Sequence, residues 1–159
     1  MSKWAARFLD LADHVATWSK DPRTQVGCVI VDKHNRIVSL GFNGFPRGVK
    51  DLAERYNDRP TKHLFVAHAE RNALDNAPLS VEGCTLYSPL LPCSECAKSI
   101  IQKGITKVVS YEPDEDVEHF HCLEELKKSV MRCVTNTQLQ HNLSRHTLDF
   151  FLLVSLLFV

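Results

Sequence analysis

The chain has 159 residues, 44% hydrophobic and 24% charged, which suits one ordinary domain around a single core and gives no reason to expect disorder. Its 19 basic and 19 acidic side chains cancel and neither sign forms a long block, so no nucleic-acid partner is expected and a small substrate is. The opening MSKWAARFLDLADHV has no uninterrupted apolar stretch and no small-residue cleavage site; it does not read as a secretory leader, and a cytoplasmic protein is expected.

Trp4, Phe8, Leu11, Ala12, Val15 and Trp18 recur at spacings of three and four, which predicts an amphipathic helix over about Trp4 to Trp18. Pro22 interrupts it. QVGCVIVD and RIVSLGF then read as two β-branched strands joined by the polar turn DKHN, a hairpin. NGFPRG opens a charged, irregular stretch to about Thr61, read as a long loop of the kind that carries function. HLFVAHAERNALDNA returns to a helical pattern, CTLYSPL is strand-like, SECAKSIIQKG is a short helix closed by Gly104, and ITKVVSY is a buried strand. The coarse order is αββαβαβ.

A further helix is expected from about Val117 to Met131. A boundary after Cys133 separates a domain over residues 1–133 from an atypical tail over 134–159. The tail begins polar and ends in Phe150 to Val159 with Ser155 as its only polar side chain. That run is shorter than the roughly 20 apolar residues a membrane-spanning helix needs, so no membrane partner is expected. It reads instead as a core strand, an oligomer contact or an exposed apolar patch.

The chemistry centres on two short stretches. FVAHAERNAL places His68, Glu70 and Arg71 close together, and LLPCSEC places Cys93 and Cys96 just after Pro92 where strand gives way to helix. In a reducing compartment a Cys-x-x-Cys pair indicates metal or redox chemistry. One imidazole and two thiolates make three zinc ligands and leave the fourth tetrahedral position for water, the pattern of a catalytic site. Cysteines three apart at a helix start face the same way, and the free amides and positive dipole end there favour thiolates. Glu70, two residues past His68, is better placed beside a metal-bound water than on the metal, which suits a proton shuttle.

Blander readings stand beside this one. A His-x-Glu is most often a solvated helix start. A Cys-x-x-Cys is also found as a redox pair or as half of a structural zinc site, with Cys28, Cys84, Cys122 or Cys133 supplying further sulfurs to an interaction module. A structural four-sulfur site usually brings a second close pair, which this chain lacks, and it would leave Glu70 with no task.

His68-Ala69-Glu70 followed by Pro92-Cys93-x-x-Cys96 is a known zinc-deaminase signature. With SKDPRTQVGCVIV, GFNGFPRG, HAERNAL and PCSECAKSIIQKGITKVVSY in that order, from Ser19 to about Glu112, the chain resembles the cytidine deaminase-like superfamily and, within it, the deoxycytidylate deaminases. The resemblance implies a three-layer α/β/α sandwich around a mixed five-stranded sheet, with the two zinc-binding helices on one face. It implies Zn2+ held by His68, Cys93 and Cys96, and Glu70 as the catalytic residue that moves protons while water attacks C4 of cytosine. The implied reaction is deamination of dCMP to dUMP and ammonia, supplying dUMP for thymidylate synthesis. A homo-oligomer, with dCTP and dTTP as allosteric effectors, is implied as well.

By the same resemblance Asn43 would hydrogen-bond the nucleotide, with Gly41 and Gly44 letting the backbone approach it. Ala69 and Cys93 would position the base, and Lys20, Arg23 or Arg47 would meet the phosphate, Lys20 being favoured. Arg71 departs from the apolar or amide residue often found after the His-Ala-Glu triplet; phosphate, a neighbouring subunit or a surface salt bridge would each suit it. Guanine, tRNA adenosine and riboflavin-pathway deaminases share the metal motif and differ mainly in the loops, where balanced charge argues against tRNA and GFNGFPRG with SKDPRTQVG argues for a deoxycytidylate pocket. The family usually continues into a further short strand of the type GVEV; SVMRCVTNTQLQHNLSRHTLDFFLLVSLLFV has none.

Overall fold

Cys28-Val29-Ile30-Val31 is the buried centre of a sheet, and its alternation divides the interior in two. In the computed structural model, which describes residues 2–111, strand β1 (Gly27–Val31) is buried along its whole length. Cys28 and Ile30 face one core together with Ala69, Ala73, Leu86 and Ile100. Val29 and Val31 face the other, with Phe8, Leu9, Ala12 and Tyr87. A central strand with both faces covered has no polar side to show, which is why it reads as a continuous apolar run.

Helix α1 (Lys3–Ala16) covers the second face. Ser2 caps it by accepting the Ala5 amide, and Ala5, Phe8, Leu9, Ala12, Val15 and Ala16 are buried. The expected helix is there, but its buried stripe is narrower than the spacing suggested. Trp4 is 46% and Trp18 49% exposed, and Trp18 lies beyond the helix end with its ring edge-on to Phe42. The cause is the close approach of α1 to the sheet: a Cβ on Gly27 would lie 2.0 Å from the Ala12 carbonyl oxygen. Small residues therefore occupy the contact, and the tryptophans sit at its rim.

The predicted hairpin joins β1 to β2 (Ile37–Phe42). Asp32 holds its turn by accepting the amides of His34 and Arg36 and pairing with the Arg36 guanidinium, while Asn35 takes the left-handed conformation at φ 61°. The register shifts between Ile30 and Val31.

The stretch read as a long loop to Thr61 instead contains two short helices, α2 (Ala53–Asn57) and α3 (Arg59–Phe65). Tyr56 of α2 is buried, stacked on Phe45 at 4.1 Å and donating to Asp51. Asp58 caps α3 by accepting the Thr61 amide, with Pro60 in its first turn, a start signal that fits proline's missing donor. The single helix expected over HLFVAHAERNALDNA is interrupted. Val66 is extended, and Ala67 exchanges both backbone hydrogen bonds with Gly44, so helix α4 (Ala69–Asp75) begins afresh after His68. A long-range bridge outweighs local helical preference there.

Strand β3 (Thr85–Tyr87), helix α5 (Ser94–Gln102) and strand β4 (Lys107–Val109) complete the described order. The sheet runs β2-β1-β3-β4, antiparallel at the first two junctions and parallel between β3 and β4, where α5 is the crossover that a parallel pair requires. With α1 on one face and α4 and α5 on the other, this is the expected helix-covered mixed sheet, with four strands among the described residues. The expected helix from Val117 to Met131, the boundary after Cys133 and the tail lie outside them.

Candidate active site

Each metal-ligand candidate sits at the start of a helix on the same face of the sheet. His68 is the N-cap of α4 and Cys93 the N-cap of α5; neither side chain caps its own helix, so both are free to point outward. Cys96 lies in the first turn of α5 and is buried, and Pro92 before it is fully buried. The His68 Nδ1 atom is 3.5 Å from Cys93 Sγ and 3.4 Å from Cys96 Sγ. With zinc–sulfur and zinc–nitrogen bonds of about 2.3 and 2.0 Å at the tetrahedral angle, a sulfur–nitrogen edge of about 3.5 Å is expected. Both sulfur–nitrogen edges therefore match those of a zinc tetrahedron, with Nδ1 as the histidine ligand atom, and all three donor atoms lie within 4.8 Å of one another.

The electrostatics agree. Hydrogen bonds from Cys96 and His68 bring the Cys93 thiol down to about 3, and the Cys93 thiolate, followed by burial, pushes Cys96 far up. Without a cation the pair holds a single negative charge. A divalent ion at the shared centre removes that conflict and lets both sulfurs bind as thiolates. Among the described residues these three side chains form the one group of this kind; Cys28 and Cys84 are buried free thiols outside it, and Cys122 and Cys133 lie outside the described residues.

Glu70 is only 4% exposed, and its burial raises its carboxyl above the usual range, partly offset by its own backbone amide and by His68. It lines a cavity of about 230 Å³ together with His68, Ala69 and Cys93. Thr24, Val26, Val66, Leu90 and Leu91 also face that cavity, so a carboxyl group and two of the metal-ligand candidates share a partly apolar chamber.

The residues expected to meet substrate divide into two sets. Asn43 and Ala69 line the cavity. The Asn43 amide is also committed to the fold: its Oδ1 accepts the Val26 amide at 2.8 Å, and its Nδ2 donates to the Thr24 carbonyl at 2.8 Å and to Asp21 at 3.4 Å. Lys20 pairs with Asp51 at 2.8 Å and Arg47 donates to Asn76 at 2.9 Å; neither they nor Arg23 is among the cavity-lining residues. Gly41 serves a packing contact: a Cβ there would meet the Ala73 amide nitrogen at 2.3 Å, so its lack of a side chain admits α4. Arg71 makes a salt bridge with Asp75 at 3.0 Å and donates to Ser99 at 3.2 Å, tying α4 to α5.

Three titratable cavity residues escaped the sequence reading: Asp21, Lys62 and His63. Asp21 sits inside the quoted SKDPRT motif and Lys62 inside TKHLF, but nothing local indicates that the two meet, with Lys62 Nζ on Asp21 Oδ2.

A mixed sheet carrying a histidine and two cysteines at adjacent helix starts, with a buried carboxyl group beside them, defines a zinc hydrolase type of site. The family model for the cytidine and deoxycytidylate deaminase zinc-binding region matches residues 2–112. The chain belongs to that family, and zinc is the metal its donor set suits.

Relatives agree. An uncharacterized deaminase from the luxG 3′ region of Aliivibrio fischeri is 53% identical over 116 residues, covering 73% of this chain and 78% of that one. The deoxycytidylate deaminase of Homo sapiens is 44% identical over 115 residues, covering 67% of this chain and 64% of the human protein, so the chain spans less than two thirds of that relative. The dCMP deaminase of cyanophage S-TIM5, solved in complex with dCMP and dUMP, superposes with a TM-score of 0.66 at 25% identity, over 84% of this chain and 99% of that one.

Proposed function

We propose that this protein hydrolyses dCMP to dUMP and ammonia. The observation that carries the reading is the buried Glu70 carboxyl group lining the same cavity as His68 and Cys93. The named activity of the human relative and the nucleotides in the cyanophage structure support the choice of substrate.

His68, Cys93 and Cys96 would hold zinc, which supplies Lewis acidity to activate water at neutral pH. Glu70 does the proton work. Its carboxylate takes one proton from the attacking water and gives it to ring N3, then takes the hydroxyl proton of the tetrahedral C4 adduct and delivers it to the departing amine, so that water and dCMP become dUMP and ammonia. Burial keeps the Glu70 carboxyl above its usual range, closer to the operating pH, where one group serves as base and then as acid. Ala69 backs the base beside the ligands. Val66, Leu90 and Leu91 give the cavity apolar lining, and Asn43 shapes its wall by holding Val26 and Thr24.

Assembly as a homo-oligomer, control by dCTP and dTTP, and a cytoplasmic location belong to the same reading; the free thiols of Cys28 and Cys84 suit a reducing compartment.

The test is ammonia release by zinc-loaded protein on dCMP, deoxycytidine, dCTP, guanine and adenosine-bearing tRNA, with Glu70→Gln as the blank. Turnover of dCMP that disappears in the variant is the expected result. Turnover of guanine or tRNA in preference to dCMP, or none at all with zinc bound, would overturn the proposal.

A further inference from the structure

A nucleotide in this cavity would have its phosphate met by a cation or by a cluster of amides, and among the described residues Lys62 is the only lysine or arginine in the lining. The Lys62 side chain is 13% exposed and Asp21, its partner at 2.5 Å, is 0% exposed. Taking two charges out of water is costly unless both are well satisfied.

Asp21 is satisfied several times over. Its Oδ1 accepts the amides of Arg23 at 2.9 Å and Thr24 at 3.2 Å, and its Oδ2 accepts Asn43 at 3.4 Å as well as Lys62. The carboxylate is thus anchored by backbone amides as well as by the lysine. Lys62 is in a different position. An ammonium group carries three donors, and Asp21 is its ion-pair partner among the described residues, which leaves donors for an acceptor in the cavity.

The lysine is also held in place from both ends of its helix. Asp58 caps the start of α3, the Val66 amide donates to the Lys62 carbonyl at 2.8 Å, and Ala67 is stitched to Gly44. His63, next on the same helix, lines the cavity too.

We propose that Lys62, aimed by Asp21, binds the 5′-phosphate of the substrate and so selects a nucleoside monophosphate over the free nucleoside. This rests on the dCMP reading above and replaces Lys20, Arg23 and Arg47 as the phosphate cation. Asp21 acts here as a positioning residue, since its oxygens are occupied by the protein.

The experiment compares wild type, Lys62→Gln and Lys62→Arg, each zinc-loaded, for turnover of dCMP and for calorimetric binding of dUMP and deoxyuridine. Loss of a charge-assisted hydrogen bond to phosphate is expected to weaken dUMP binding by roughly 10- to 100-fold in Lys62→Gln. Deoxyuridine binding should change far less, KM for dCMP should rise by a larger factor than kcat falls, and Lys62→Arg should recover part of the dUMP affinity. If dUMP and deoxyuridine weaken by the same factor, or dUMP does not weaken, the proposal is overturned. Should Lys62→Gln fail to retain zinc, Lys62→Arg decides alone: it must keep the preference for dUMP over deoxyuridine. Wild-type protein that neither turns over dCMP nor binds dUMP would instead overturn the parent reading, a result distinct from normal turnover with an unchanged preference in the variants.

Discussion

Gly41 and Ala73 touch backbone to backbone: a Cβ on the glycine would lie 2.3 Å from the Ala73 amide nitrogen and 2.4 Å from the Ala69 carbonyl oxygen. The helix that starts at His68 rests on the second strand at the one place where that strand has no side chain. Gly41→Ala is therefore expected to push α4 off the sheet and to cost about 1–3 kcal/mol, the range for overpacking. Denaturant unfolding of the two proteins measures the loss, and an unchanged midpoint would show that α4 has room to spare.

Glu70→Gln keeps size and shape while removing the titratable group. Zinc content should stay at that of wild type, while the deamination rate falls by roughly 10²- to 10⁴-fold, the usual contribution of a positioned acid–base group. Metal analysis and ammonia release on the same preparation check both halves.

Chelation of zinc should return Cys93 and Cys96 to sharing one negative charge. The melting temperature is expected to drop on metal removal, because an ion bound only to the folded state stabilises it by mass action. Zinc should restore it and magnesium should not, given the two sulfur ligands. Cys96→Ser should copy purified without zinc and show no such response.

The Asp21–Lys62 pair makes stability depend on acid. Burial raises the Asp21 carboxyl, but the Lys62 hydrogen bond and the Arg23 and Thr24 amides outweigh it and leave it below its usual 3.8. A depressed carboxyl stabilises the fold above its unfolded value and loses that contribution as pH falls through its folded value. Asp21→Asn should thus be less stable than wild type by about 3 kcal/mol at neutral pH, the lower end for breaking a buried pair, and the gap should narrow below about pH 4. Unfolding curves across pH 2 to 7 would show a constant gap if the pair is inert.

Asn43→Ala strips the Val26 amide and the Thr24 carbonyl of their partner. A cost of about 1 kcal/mol is expected for leaving these partly buried groups unpaired, together with a higher KM, as the cavity wall loses its tie. A KM change with unaltered stability would assign Asn43 to substrate contact alone.

Much of the site is legible in one dimension. His68 with Glu70, and Cys93 with Cys96, are each set by spacings within a single helical turn, and their donor chemistry names the metal before any contact is known. The central strand and the first helix are readable for the same local reason, periodicity. Where the reading failed, a distant partner decided the outcome. The helical pattern of HLFVAHAERNAL breaks because Ala67 bonds Gly44, and the presumed loop forms α2 because Tyr56 has Phe45 and Asp51 to pack and bond against.

By itself, then, the amino-acid order determined the candidate ligands, the carboxyl group near them and the family to which the chain belongs. Only the tertiary structure decided which cation reaches the cavity. Lys20, Arg23 and Arg47 stand in the recognisable motifs but outside the cavity lining, whereas Lys62 enters because α3 lies against the segment holding Asp21. Metal affinity depends on donor atoms a few residues apart in the chain, so spacing reports it. A charge in a cavity depends on a partner 41 positions away, from residue 21 to residue 62, and the chain must fold before that pairing exists.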